Sequence, residues 1–175
     1  MRIQDVLLAL AGMEADGVVD RYAIGGAVGA TFYLEPVATL DVDVFVTFRA
    51  EAGSLLIDPA LIFQYLMHRG ATMEGEYVMI GGWPVQFLPS TGPLMDEALD
   101  QAVSVHVEGA IARVFSAEHL AAIALQTGRA KDKARLLQFV ESGAVDRARL
   151  QSIIARHDLS AAWKRFEQQF LGDSQ

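Results

Sequence analysis

The stretch from Tyr22 to Ala30 (YAIGGAVGA) and the stretch from Asp41 to Phe48 (DVDVFVTF) decide the reading of this chain. Tyr22-Ala23-Ile24 is a short apolar run that stops at two glycines, which reads as a strand entering a turn. Small apolar residues follow over 27–34 and suit a short buried helix. The run at 41–48 is the clearest strand, with β-branched and aromatic residues alternating with the acids Asp41 and Asp43. Residues i and i+2 of a strand share a face, so Asp41 and Asp43 project together with Cα atoms about 6.5 Å apart. Val42, Val44 and Val46 then point the other way, into a core.

Two carboxylates at this spacing can converge on a hard divalent cation, and magnesium often takes only one or two carboxylates beside substrate phosphates. A Gly-Gly pair at the start of a helix lets backbone N–H groups approach a phosphate. Together these are the minimum parts for phosphoryl or nucleotidyl transfer. Each has a plainer reading: D-x-D as a half-exposed strand, Gly-Gly as a turn. Their succession on adjacent elements is what makes a shared site worth pursuing.

Outward from this centre, Ile3, Val6, Leu7, Leu10 and Met13 repeat at helical spacing, which predicts an amphipathic helix over 3–15. Pro59 is placed to start a helix running to about His68. Tyr77–Ile80 and Trp83–Leu88 flank Gly81-Gly82, a two-residue hairpin. Pro84 then marks an edge or a bulge. A helix is expected at about 94–102 and an extended segment over 103–115. From Ser116 the pattern turns helical: Ser116 caps a helix ending at Gly128, and further helices fit at 130–141, 146–156 and 159–171, with Asp146 and Asp158 as N-caps. Trp83, Trp163, Phe166 and Phe170 are expected to pack cores. This is an α/β (α+β) core followed by a helical C-terminal region, divided here as 1–112 and 113–175.

The 175 residues are 52% hydrophobic and 21% charged, which excludes an intrinsically disordered chain. There is no cysteine, so disulfides, thiolate metal sites and a cysteine nucleophile are excluded. The net charge of −8 disfavours non-specific nucleic-acid binding. The charge is uneven: residues 1–110 sum to −11 and residues 111–175 to +3. No segment reads as membrane-spanning, because the longest uncharged run, Tyr77 to Met95, is broken by glycines and prolines. Asp5 interrupts the N-terminal apolar run, so no signal peptide is read and the expected location is cytoplasmic. The motifs G-x-x-x-x-G-K, G-x-S-x-G and H-E-x-x-H are absent. The four histidines are dispersed and read as structural or exposed.

YAIGGAVGA followed by TLDVDVFV resembles the DNA polymerase β-like nucleotidyltransferase superfamily, whose signature is an apolar strand, Gly-Gly or Gly-Ser, then an Asp-apolar-Asp strand. Within it the chain is similar to the AbiEii/AbiGii-type toxin group and minimal nucleotidyltransferase-like proteins. A second stretch, FSAEHLAAIALQTGRAKDKAR at 115–135, resembles a helix of such relatives that ends in G-R-x-K-D. The resemblance implies a nucleotidyltransferase-like mixed sheet flanked by helices. It implies transfer of a nucleoside monophosphate from an NTP to a hydroxyl on RNA, protein or a small molecule. Asp41 and Asp43 would be the catalytic pair and would hold Mg2+ or Mn2+. Gly25 and Gly26 would bind the nucleotide, with Arg129, Lys131 and Asp132 beside it. A toxin–antitoxin or defence role, with a protein partner, is implied by the resemblance alone.

Three positions depart from that pattern. The superfamily's third carboxylate, on a later strand, falls at Gln86, and an amide cannot take a proton at neutral pH. Ala124 stands where relatives often carry Lys, and Arg135 where many carry a second Asp. Glu74 or Glu76 on a neighbouring strand could supply the missing acid or could face solvent. The alternative function is a catalytically degenerate fold that binds a nucleotide or a protein.

Overall fold

The computed structural model describes residues 2–36, 39, 41–47, 59–107 and 109–172. The helical stripe Val6, Leu7, Leu10 and Met13 forms the buried side of α1 (Ile3–Ala15). β1 (Arg21–Ile24) pairs antiparallel with β2 (Val42–Thr47), with Ala23 opposite Phe45. Between them lies the short α2 (Gly26–Ala30); the expected helix to residue 34 gives way to turns after Ala30. α3 (Ala60–Met67) follows, then β3 (Thr72–Glu74), β4 (Tyr77–Ile80) and β5 (Trp83–Pro89). Phe48, the expected end of the second strand, lies outside the described residues.

α4 (Pro93–Asp100) leads to β6 (Val103–Val107) and β7 (Ala110–Val114), then to α5 (Ala117–Thr127), α6 (Ala130–Glu141), α7 (Arg147–Arg156) and α8 (Ser160–Phe166). A π-helical turn, Glu167–Leu171, ends the last helix. Among the described residues the strands form one seven-stranded sheet in the order β3-β4-β5-β2-β1-β7-β6. It is mixed: β2 runs parallel to β5 and β1 parallel to β7, and the other neighbours are antiparallel.

The two faces of the sheet bury different helices. Val42, Val44 and Val46 join Leu7, Leu10, Ile62 and Leu66 of α1 and α3. On the opposite face Ala23, with Phe45 half-buried beside it, packs against α4 and the helices from α5 onward. α5 is buried on nearly every side, from Ala117 to Leu125, and is the axis of the helical region. The alternation read in DVDVFV is therefore realised, with valines towards α1 and α3 and the acids towards α5 and α6.

The expected extended segment 103–115 is realised as a hairpin of two strands, β6 and β7. Three other expectations need correction. Pro84 is in an interior strand, not at an edge. Gly81 and Gly82 both have positive φ, so the turn is the two-residue type whose closing pair is Ile80 and Trp83. Pro84 then falls in a non-hydrogen-bonded pair with β4, and the pairing with β2 begins only at Val85, so no ladder donor is missed. Asp158 does not cap α8. It adopts φ 57° just past α7, and the Leu159 N–H donates to Ile154 O at 2.9 Å, a left-handed C-terminal stop. Phe170 stacks on Phe166 at 5.1 Å but is exposed, while Trp163 and Phe166 are buried as expected. Ser116 and Asp146 do cap α5 and α7, accepting the His119 and Arg149 N–H groups.

Candidate active site

β2 and β5 set the floor of the site. Their parallel register places Gln86 beside Asp43, so the two side chains leave the same face of the sheet. Asp41 stands two residues before Asp43 on that face. All three line a cavity of about 680 Å³ whose far wall comes from α5 (Ile123, Ala124, Thr127) and from the start of α6.

The glycine pair shapes one side. Gly26 opens α2 at φ 58°, and a Cβ there would overlap the Asp43 carboxylate. Glycine at 26 is what lets Asp43 lie against the backbone of α2. The Gly25 N–H is engaged: it donates to Asp43 O at 3.0 Å. A Cβ on Gly25 would come 2.6 Å from the Phe45 ring, which stacks on Phe115 at 5.1 Å between centroids. Of the two backbone donors, Gly26 is the one on the cavity wall.

α6 supplies the opposing charge. Arg129 precedes its first turn and clamps Asp132 with two hydrogen bonds, Nε to Oδ2 at 2.6 Å and Nη2 to Oδ1 at 3.3 Å. Asp132 is only 3% exposed, so its carboxylate is committed to Arg129. Lys131 and Arg135 lie one helical turn apart, and both line the cavity. Neither side chain makes an ion pair or hydrogen bond among the described residues. Asp41 and Asp43, from the acidic part of the chain, thus share this cavity with Arg129, Lys131 and Arg135 from the basic part.

Burial, and then the neighbouring Asp41, push the Asp43 carboxyl up from its ordinary value; Lys131, Arg135 and Arg129 pull it part of the way back. Two acids side by side, one of them largely buried, favour a cation or a cation-bearing ligand. Among the described residues no three His, Cys, Asp or Glu side chains cluster to hold a metal. The donor set is two carboxylates and the Gln86 amide oxygen. It fits a hard oxygen-seeking ion that completes its shell with substrate phosphates and water, and it does not fit a metal cage made by protein alone.

All the residues singled out from the sequence as site candidates (Gly26, Asp41, Asp43, Arg129, Lys131 and Asp132) line this one cavity, with Gly25 adjoining. Glu74 and Glu76 do not: both are exposed at the β3–β4 turn. The apolar part of the lining, Phe45, Leu88, Met95, Phe115, Leu120 and Ile123, was not anticipated. Only Phe45 carried a signal, since it has the same parity as Asp41 and Asp43 in the strand. A second cavity of about 470 Å³ lies between α1, α3 and β4.

A separate polar cluster ties α4, α5 and α7 together. Glu97 accepts from Arg156 (2.6 and 2.8 Å), and it bonds His119 at 3.0 Å and His157 at 2.8 Å. His119 is fully buried, and its other ring nitrogen meets Ser116 Oγ at 2.8 Å. Ser116 is buried, caps α5 and lines neither cavity, so this arrangement is a structural clamp and not a nucleophile. The Arg156 guanidinium holds the Glu97 carboxyl well below the usual range, and burial holds His119 below its ordinary value.

The fold is a mixed α/β one built on a seven-stranded sheet, similar to nucleotidyltransferase folds. No protein-family model matches the chain, and no curated protein matches it. Solved structures do. One is a crystal structure of ANT(2")-Ia in complex with adenylyl-2"-tobramycin, with TM-score 0.52 and 15% identity, covering 94% of this chain and 99% of that one. A solution structure of the antibiotic-resistance factor ANT(2'')-Ia gives TM-score 0.52 at 13% identity, over 95% and 98%. An antigenic nucleotidyltransferase-like protein from Paracoccidioides brasiliensis gives 0.50 at 16%, over 91% and 90%. At these identities the likeness is one of fold.

Proposed function

We propose that this protein transfers a nucleoside monophosphate from an NTP to an acceptor oxygen. The observation that carries the reading is one cavity in which Asp41 and Asp43, with Gly26 against Asp43, face Arg129, Lys131 and Arg135. A polyphosphate fits between these two sets of charge. Asp41 and Asp43 would hold a divalent cation, Mg2+ or Mn2+, which supplies charge neutralisation at the α-phosphate and the leaving pyrophosphate. Lys131 and Arg135 would neutralise the phosphate tail, and Arg129 holds Asp132 beside them. Gly26 contributes space and a backbone donor. The apolar wall of Leu120, Ile123 and Phe115 offers a surface for the nucleoside base.

The resemblance extends this to a hydroxyl acceptor and to a toxin–antitoxin or defence setting with a protein partner. A second reading, a nucleotide-binding module without transfer, is favoured by one observation: Gln86 in register with Asp43. The experiment is a thermal-shift series with each NTP, with and without Mg2+ or Mn2+, beside the Asp41→Asn/Asp43→Asn double variant. A ligand at a hundred times its dissociation constant adds about 2.7 kcal/mol, or several degrees. A shift lost in the double variant supports the site, and no shift with any NTP rejects it. Release of pyrophosphate then separates transfer from binding alone.

A further inference from the structure

We infer that Tyr77, backed by Glu76, takes the proton of a hydroxyl acceptor, and that the two form a relay beside the metal-binding pair. The inference rests on the transferase reading of this cavity and assigns residues to its second substrate.

The strand registers bring Tyr77 to the site. Asp43 lies beside Gln86 on β5, and Val85 faces Val78 across the antiparallel pair of β5 and β4. The residue that comes opposite Gln86 is therefore Tyr77, and opposed residues share a face of the sheet. Val78 and Val85 are buried towards α1 and α3, so Asp43, Gln86 and Tyr77 form a row on the other face. Two strand spacings put the Tyr77 Cα about 9.6 Å from that of Asp43. Tyr77 is half-buried, and its hydroxyl meets the carboxylate of the exposed Glu76 in a side-chain hydrogen bond. Desolvation, and then the charges of Glu76, Asp41 and Asp43, push this hydroxyl up from its ordinary 10.0. It is therefore protonated at neutral pH and able to donate to Glu76.

In-line transfer sets the side from which the acceptor comes. Lys131 and Arg135 of α6 suit the leaving pyrophosphate. Gly26 and α2 close Asp43 on the β1 side, and β5 and then β4 flank it on the other. Among the described residues none of β3, β4 or β5 joins the core under α4 and the later helices, which leaves Tyr77 beside the cavity and not beneath a helix.

The acceptor's hydroxyl oxygen attacks the α-phosphorus and a new P–O bond forms. Its proton passes to Tyr77 Oη as the Tyr77 proton passes to Glu76. The P–O bond to the bridging oxygen breaks, and its electron pair leaves with pyrophosphate. Glu76, being exposed, then returns the proton to solvent. The amide of Gln86 stands between Asp43 and Tyr77 and takes no proton itself.

The test uses the full chain with Mg2+ and each NTP, offers glycerol, tobramycin or water as acceptor, and follows pyrophosphate. Tyr77→Phe is expected to lower kcat at least tenfold and Glu76→Gln at least fivefold, with the KM for NTP within twofold of wild type. Both variants should keep the wild-type melting shift with NTP. Because the two residues act in series, the double variant should be within twofold of Tyr77→Phe. Glu74→Gln, opposite Tyr77 on β3, is the control and should stay within twofold of wild type. An unchanged kcat in either single variant, or losses that multiply in the double variant, overturns the inference. A variant that loses the melting shift along with activity gives Tyr77 a binding role and overturns the relay. So does a wild type that binds NTP and releases no pyrophosphate with any of the three acceptors. If no NTP shifts the wild type, the nucleotide reading itself falls, and the relay with it.

Discussion

Gly26 and Asp43 occupy adjoining space: the carboxylate of Asp43 fills the volume that a side chain at position 26 would take. Gly26→Ala therefore combines steric overlap with strain at φ 58°. The expected cost is about 2–4 kcal/mol, from displaced packing and left-handed strain together. Gly17, at φ 70° with nothing near its Cβ position, is the control: Gly17→Ala should cost only about 1 kcal/mol. Urea unfolding of both variants measures the difference. Gly26→Ala should also abolish the NTP-induced melting shift, and Gly17→Ala should not.

Asp43→Asn should stabilise the protein in the absence of cations. Burial and Asp41 raise the Asp43 carboxyl above its ordinary 3.8, so the folded chain binds this proton more tightly than the unfolded chain. Above the raised value the ionised group opposes folding, and that opposition fades as the pH falls through it. In EDTA the variant should melt above wild type at neutral pH, with the gap closing as the pH approaches 3.8. A variant that melts below wild type at neutral pH counts against this.

Glu97 contributes stability of the opposite sign. Its carboxyl is held down by Arg156, His119 and His157, so the contribution is full above the ordinary 4.5 and is lost as the pH falls below it. Glu97→Ala should cost about 2–4 kcal/mol at neutral pH, because His119 and its neighbours lose their acceptor. His119 adds a milder slope: its value lies below 6.5, so wild-type stability should fall as the pH drops from 6.5 towards that lowered value. Denaturation midpoints across a pH series read both effects.

Arg129→Gln should destabilise more than its own exposure suggests. The arginine is 61% exposed, but the Asp132 carboxylate it pairs with is only 4% exposed. Stranding that charge should cost about 1–3 kcal/mol. Asp132→Asn in the Arg129→Gln background should recover most of it, which a double-variant cycle in urea tests.

Much of this architecture was legible because local pattern and tertiary fate agree. Helix α1, the Gly81-Gly82 hairpin, the valine face of β2 and the caps at Ser116 and Asp146 each follow from residues within one turn or one strand. The site was legible for the same reason: the parity of Asp41, Asp43 and Gln86 puts them on one face once β2 and β5 are neighbours. What escaped depends on packing between distant segments. Asp158 looks like an N-cap, but the turn needed a left-handed residue after α7, and Asp tolerates that conformation. Pro84 looks like an edge marker because nothing local shows that the β2 ladder starts one residue later. The Glu97 cluster draws on α4, α5 and α7, and no spacing in the sequence announces it.

The cavity's floor lies on strands β2 and β5, and its cations lie on α6, which leaves the ribosome later. A chain under synthesis therefore exposes Asp41 and Asp43, in its most acidic part, before any of Arg129, Lys131 and Arg135 exists to offset them. On the proposed reading, nucleotide affinity would be a late acquisition, gained only after residue 135 has emerged and α6 has docked. Ligand binding would then report the docking of α6, and a nascent chain arrested before that point should show none.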